Sequence, residues 1–292
     1  MTHSTVTPQD AAALAERLLR GPDPAFDRPA AILAHPEGRG PLERRAALRP
    51  LHDAIVARVG PPTLLGGTDH GPSVRWGTDQ RTLLLSGDSV GAALSVHEAR
   101  AFAEREYAEF VAGGLPYAWA LDRGSPLGPD RRLIDSSMAR SCSWQGAEER
   151  LALLLASWVE QLPVQAPGDW LSFRLRAERT PPLDLVVSYD PRETGGELRA
   201  VVPSGRLTLE GAARMRRAGW QGLDDHGRWH VALPETDPRA PARLAGAVTA
   251  RVRSGPFDYP GDVFATAFSV GDHGTLVVPG LGFEVTLSRD PY

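Results

Sequence analysis

Ser86-Gly87-Asp88-Ser89 follows the apolar run Leu83-Leu84-Leu85, and a serine at the end of a strand is one place where a hydrolytic nucleophile is presented. Acyl transfer needs that serine activated by a histidine, the histidine oriented by a carboxylate, and donors for the oxyanion. The plainer reading is a turn, since Gly-Asp-Ser between two strand-like runs is ordinary turn chemistry. His226 and His230 are four apart, the spacing of two metal ligands on a helix. Gly227 and the strand-like Arg228–Leu233 oppose that helix, and Asp224, Asp225, Asp69-His70 and Asp272-His273 read as loop residues. Cys142 lies in Arg-Ser-Cys-Ser-Trp, where an arginine favours a thiolate, but a nucleophile would also need a histidine in space. Adjacent carboxylates such as Asp224/Asp225 and Glu148/Glu149 diverge instead of facing one another across a cleft. No metal and no cofactor is expected, and Ser89 is the one candidate nucleophile.

Composition narrows the chemistry further. The 292 residues contain no lysine, so the 32 basic charges are all arginine. Schiff bases, a phosphate-gripping P-loop lysine and Ser-Lys hydrolysis are thereby excluded. A single cysteine excludes an intramolecular disulfide and a thiolate-built zinc site. Thirty-two arginines against 36 acidic residues give a net charge of −4, which does not favour a nucleic-acid partner. The nearest thing to a basic face is Arg206 with Arg214, Arg216 and Arg217, which reads as a solvated helix face. The opening residues MTHSTVTPQD do not read as a signal peptide, and runs such as Leu151–Val159 are too short to cross a bilayer. A cytoplasmic address and no membrane partner are expected.

The elements that would position these residues follow from periodicity. Thr7-Pro8-Gln9-Asp10 has the cap, proline and acidic residue of a helix start, and the helix runs to Gly21. Residues 1–40 read as this helix plus a Pro/Gly-rich connector holding the short apolar piece AAILA. From Leu42 the spacing of Leu48, Leu51, Ile55, Val56 and Val59 predicts a helix. Strands follow at 73–76, 81–85 and 91–96, then a helix from His97 to Val111. These make a first domain over 41–121. The turn-rich stretch 122–146 reads as a linker. A second domain over 147–292 opens with the helical stripe Leu151, Leu154, Leu155, Trp158, Val159 and Leu162. Three strands follow (170–177, 183–189, 197–202), then a short helix (208–218), a strand (228–233) and the helix carrying Leu244, Val248 and Val252. DVFATAF reads as a short turn or helix, and TLVVPG with FEVTLS as a closing hairpin broken by Gly280. Helices alternating with antiparallel meanders predict an α+β fold, and no Gly-x-Gly-x-x-Gly follows a strand.

Two resemblances add to this reading. Gly87-Asp88-Ser89 resembles the GDS block of the GDSL esterases, whose serine is the nucleophile. The Asp-x-x-His and Gly-x-Asn-Asp blocks of those enzymes are missing, and the chain contains no asparagine. Over 147–270 the order of features resembles the YbjN and type III secretion chaperone-like superfamily. Its features are ERLALLLASWVEQL, a three-strand meander, LTLEGAARMRRAGW, GRWHVALP, DPRAPARLAGAVTARV and the Tyr259–Phe264 step. Residues 41–111 repeat the order helix, meander, helix, so the resemblance implies two tandem chaperone-like domains. It also implies a non-enzymatic module that binds a peptide segment of another protein, or pairs as a homodimer. Trp76 and Trp170, on or at the start of strands, are the candidate peptide-binding residues, with core packing as the alternative for each. Two other functions remain open: a serine hydrolase using Ser89, and an immunity or accessory protein for one dedicated partner.

Overall fold

The computed structural model describes residues 6–22, 25–68, 71–114, 117–124, 143–177, 183–192, 195–202, 209–223, 226–271 and 274–285. The fold is α+β, with two sheets that are almost wholly antiparallel and are flanked by helices. The chain divides into two compact units. The first gathers Met1–Ile134, Ser157–Pro167 and His273–Pro279, and the second Asp135–Ala156, Gly168–Asp272 and Gly280–Tyr292. Most of the 122–146 stretch expected as a linker lies outside the described residues.

The first unit holds α1 (Pro8–Arg20), α2 (Pro41–Val59) and α3 (Ala99–Val111). Its strands are β1 (Ala30–Ala34), β2 (Leu64–Gly67), β3 (Ser73–Gly77), β4 (Arg81–Gly87), β5 (Gly91–Glu98), β6 (Trp119–Asp122) and β12 (Thr275–Val277). They line up as β1-β5-β4-β3-β2-β6-β12. The segment expected as an appended helix and connector is part of this unit. Thr7 and Asp10 close the capping box of α1, α1 packs on α2, and AAILA is the strand β1, paired with β5. The rows Val74–Leu85–Leu94 and Trp76–Leu83–Val96 form one fully buried face, and Arg75–Leu84–Ser95 begins the other. At the end of α2, Gly60 takes a φ of 100°, a region L side chains rarely occupy, and its carbonyl accepts the Trp76 indole N–H at 2.8 Å.

The second unit contains β7 (Leu171–Ala177), β8 (Leu183–Asp190), β9 (Glu197–Val202), β10 (Trp229–Pro234), β11 (Phe264–Val270) and β13 (Glu284–Val285), ordered β10-β9-β8-β7-β11-β13. Among the described strands only the β11–β13 pair is parallel. Its helices are α5 (Leu209–Arg217) and α6 (Ala240–Arg253). The long α4 (Trp144–Gln165) is shared, its first part up to Ala156 counting with this unit and the rest with the first. Both sheets have the same layout. A meander of hairpins is extended beyond its last strand by one strand (β1 or β10) and beyond its first by two (β6 and β12, or β11 and β13). They differ in strand count and chain order. The meander has four strands in the first unit and three in the second. The strand after the helix that follows the meander (α3 in the first unit, α5 in the second) joins the first-strand side as β6 but the last-strand side as β10.

Two local expectations are corrected. DVFATAF is not a helix or turn: Phe264, Ala265 and Thr266 pair with Arg176, Leu175 and Arg174. Its Ala, Phe and Thr content suits several conformations, and the free edge of β7 selects the extended one. The register slips between Thr266 and Ser269 around Ala267, at φ 50°, and Phe268 stacks on Phe173 at 5.8 Å. TLVVPG and FEVTLS do not form a hairpin. Thr275–Val277 pairs with β6 and Glu284–Val285 with β11, so two sheet edges outcompete a local turn.

Where β2 leaves β3, Gly66 has no ladder partner on that side, though it stays in register with Ala120 of β6, and Gln165 takes the open place. Its Oε1 accepts from the Gly66 N–H at 2.8 Å and its Nε2 donates to the Gly66 carbonyl at 2.7 Å, all of it buried. Gln165→Leu should strand both backbone groups. Chemical denaturation is expected to show a loss of about 3 kcal/mol, against a near-neutral result if water replaces the amide.

Candidate functional site

Ser89 sits exposed in the β4–β5 turn. Asp88 builds that turn, its Oδ1 accepting from the Val90 and Gly91 N–H groups at 2.8 and 3.0 Å. The Gly-Asp-Ser block is therefore a hairpin turn. His226 is an exposed turn residue, while His230 lies half-buried on β10. Among the described residues no group of three or more His, Cys, Asp or Glu is placed to hold a metal ion. Cys142, Arg206, Asp69-His70, Asp224-Asp225 and Asp272-His273 lie outside the described residues. Of the α5 arginines, Arg214 contacts Glu210 at 3.4 Å and Arg216 lies over the Trp229 ring at 5.7 Å.

A hydroxyl, an imidazole and a carboxylate do meet, elsewhere in the first unit. Ser95 and His97 are two apart on β5 and so share a face. Ser95 Oγ lies 2.8 Å from His97 Nε2, and His97 Nδ1 lies 2.6 Å from Asp27 Oδ1. Arg105 on α3 donates to the same Asp27 oxygen at 2.8 Å. The His97 ring stacks on Phe102, over which Arg75 also lies. Arg75 is in turn paired with Glu106 of α3. Hydrogen bonds from Arg105 and His97 hold the Asp27 carboxyl at about 2. Burial, opposed by Asp27, holds His97 below its ordinary value and hence neutral, free to donate from Nδ1 to Asp27 and to accept at Nε2 from Ser95. That is the polarity of a general base. Ser95, however, is only 5 % exposed, in the middle of a strand. What the cluster does as it stands is anchor. Asp27 takes a φ of 58°, its N–H donates to the Val96 carbonyl at 2.9 Å, and its carboxylate fixes the chain entering β1. Sequence reading missed this cluster because Asp27 is 70 residues from His97 and because the helix expected from His97 begins only at Ala99, leaving His97 on β5 with Ser95.

The two tryptophan candidates separate clearly. Trp76 is 3 % exposed with its indole N–H satisfied, which makes it a core residue. Trp170 is half-buried and directly precedes Leu171, whose side chain is in the core, so by alternation it falls on the opposite face of the second sheet. It lies across from Gly271, whose N–H donates to its carbonyl at 3.1 Å. A Cβ at 271 would come within 2.8 Å of the indole, so glycine makes room for the ring.

Trp170 shares its face with two in-register rows. One is Ser172–Ser188–Arg199–Ala232 and the other Arg174–Val186–Val201–His230. Beyond them Arg176 opposes Asp184. Burial falls along the face, from Val201 at 8 % exposed to the Arg174 and Arg176 side chains at 43 % and 53 %. Both guanidiniums contact Asp184, at 3.6 and 3.8 Å. The face thus offers one half-buried aromatic, short side chains at Ser172, Ser188 and Ala232 interrupted by Arg199, and a mixed set of charges from Arg174, Arg176, Asp184, Asp190 and Glu197.

No family model matches the chain, and no curated protein or solved structure matches it either.

The polar interior of the first unit makes stability depend on pH. Burial holds both His52 and His97 below the ordinary value, against the opposing pull of Asp53 and Asp27. The unfolded chain titrates near 6.5, so below that pH it binds more protons than the folded chain and the fold loses stability. Asp27, depressed to about 2, keeps its contribution until far lower pH. The melting temperature should therefore fall between pH 7 and 5, with a flatter slope in His52→Leu. A slope unchanged by that substitution would exclude His52 as a contributor.

Proposed function

We propose that the chain is a non-enzymatic protein-binding module that holds an extended segment of another protein on the solvated face of its second sheet. The observation that carries this reading is Trp170, half-buried on the same face as the half-buried Arg174 and the exposed Arg176, while the opposite face of β7 and β8 is consigned to the core. Antiparallel sheets solvated on one side accept partner segments, aromatic anchors supply much of the affinity, and arginine supplies directed hydrogen bonds. The order of elements over 147–270 supports the same reading through its resemblance to the YbjN and type III secretion chaperone-like domains. No described helix is long and apolar enough to cross a membrane. The reading places the protein in the cytoplasm, where its single cysteine stays a thiol.

A second reading has one specific observation in its favour. The Ser95–His97–Asp27 distances are those of a nucleophile, a base and an orienting carboxylate, so a hydrolase would use Ser95 and not Ser89. The buried position of Ser95 favours the binding module.

One pair of measurements separates the two readings. A photo-crosslinking residue at Ser172 in the native host is expected to trap a protein partner that the same residue at exposed Val111 does not. Trp170→Ala should weaken that capture about tenfold or more. A fluorophosphonate probe should leave the native protein unlabelled. Labelling abolished by Ser95→Ala, with no adduct at 172, would replace the binding module with the hydrolase.

A further inference from the structure

At the Trp170 end of the second sheet one carboxylate is buried without a counter-ion. Asp169 is only 6 % exposed, and its Oδ1 accepts from the Trp170 N–H at 2.8 Å. Its Oδ2 is buried and accepts from no group among the described residues. A carboxylate removed from water without a charged donor is destabilising, and a cation that reaches it offsets much of that loss. The approach is at Gly271, the exposed residue that faces Trp170 across the β7–β11 pair. A Cβ there would lie 2.3 Å from Asp169 Oδ1 and 2.8 Å from the indole Nε1. Carboxylate and indole therefore line one notch beside an exposed glycine, and the missing side chain keeps it open.

The row that starts at this notch is acidic. It runs Gly271, Trp170, Asp190, Glu197 and Pro234, one step beyond the Leu171–Tyr189 pair. Arg192 clasps Asp190 with hydrogen bonds of 2.9 and 2.7 Å, which hold its carboxyl below the ordinary range. Glu197 has no ion-pair partner among the described residues. The other arginines of the face stand farther along the strands, Arg199 in the next row and Arg174 and Arg176 around Asp184. Arg174 is ~13 Å from Trp170 along an extended strand. Asp169, Asp190 and Glu197 thus outnumber Arg192, and Arg199 one row away reduces that balance without reversing it.

We infer that the partner segment carries a basic side chain, lysine or arginine, whose cationic head enters at Gly271, meets the Asp169 carboxylate and lies against Trp170. This rests on the binding face proposed above and adds the residue that the face reads. Tryptophan is the aromatic ring that attracts a cation best, so indole and carboxylate act on the same group. Glu197 acts at longer range and draws the cation towards the row. Nucleic acids carry no such cation, so the partner is a protein segment.

The test uses the full chain and three fluorescent peptides of equal length, alternating serine with valine around one central residue: lysine, norleucine or glutamate. The lysine peptide is expected to bind best and to weaken about tenfold as salt is raised. Asp169→Asn keeps an oxygen for the Trp170 N–H and removes the charge. It should weaken the lysine peptide about tenfold and leave the norleucine peptide unchanged. Glu197→Gln should weaken the lysine peptide by a smaller factor. Because Asp169→Asn removes an uncompensated charge, it should melt no lower than the native protein, which separates lost recognition from a damaged fold. Equal binding of the norleucine peptide, preference for glutamate, or a lysine advantage that survives Asp169→Asn overturns the inference. If norleucine binds equally and Trp170→Ala abolishes it, the face is still the binding site and only the basic preference falls. No binding by any of the three also overturns the inference, and failure of the crosslink from position 172 as well refutes the binding face itself.

Discussion

The period-two alternation of β7 and β8 is the constraint on which the second unit depends. Leu171, Phe173, Leu175 and Ala177 on one strand, and Leu183, Leu185, Val187 and Tyr189 on the next, all turn to the same side and are buried. A one-residue slip in either strand would exchange that row for Ser172, Arg174, Arg176 or Asp184 and place charges in the core. Register is therefore strongly specified. Everything on the outer face, from Trp170 to Arg176, is held in place by side chains it never touches.

The first unit solves a different problem. Both faces of its sheet are occupied, and the second face contains polar groups that must be satisfied internally. Arg75 is buried because Glu106 meets it from α3 and the Phe102 and Tyr117 rings lie against its guanidinium. Burial pushes the Glu106 carboxyl up while Arg75 opposes the shift, the balance expected of an ion pair removed from water. Asp27, His97 and Arg105 extend the network to the chain entering β1. A cluster with the parts of a catalytic triad thus has a structural explanation: neutral His97 and ionised Asp27 tie an edge strand to its neighbour.

The tryptophans show how a common residue type divides by context. Trp76 and Trp170 look alike in sequence, each at a strand with small or turn residues nearby. Trp76 lies in register with Leu83 and Val96, and so belongs to the buried row. Trp170 falls one residue before a core leucine, on the outer side, and Gly271 leaves it a platform. The sequence left Trp170 open between core and binding face, and its place one residue before the buried Leu171 of β7 is what assigns it to the outer side. For Trp76 the deciding fact is that its sheet is covered on that side, which depends on helices distant in sequence.

Local patterns determined a good deal: the helices from Thr7 and Leu42, the helical stripe from Leu151, the meander strands, the α+β class and the turn at Asp88-Ser89. Each rests on interactions within a few residues, such as caps, 3.6- or 2-residue periodicity and turn hydrogen bonds. Tertiary structure alone decided that AAILA becomes an edge strand, that DVFATAF is extended, and that TLV and Glu284-Val285 part to join different sheets. It also decided that Asp27 meets His97 and that Gln165 completes the ladder at Gly66. In all of these the local preference is weak or divided, and the choice is made by an unpaired backbone edge or a buried polar group contributed by residues far away in the chain.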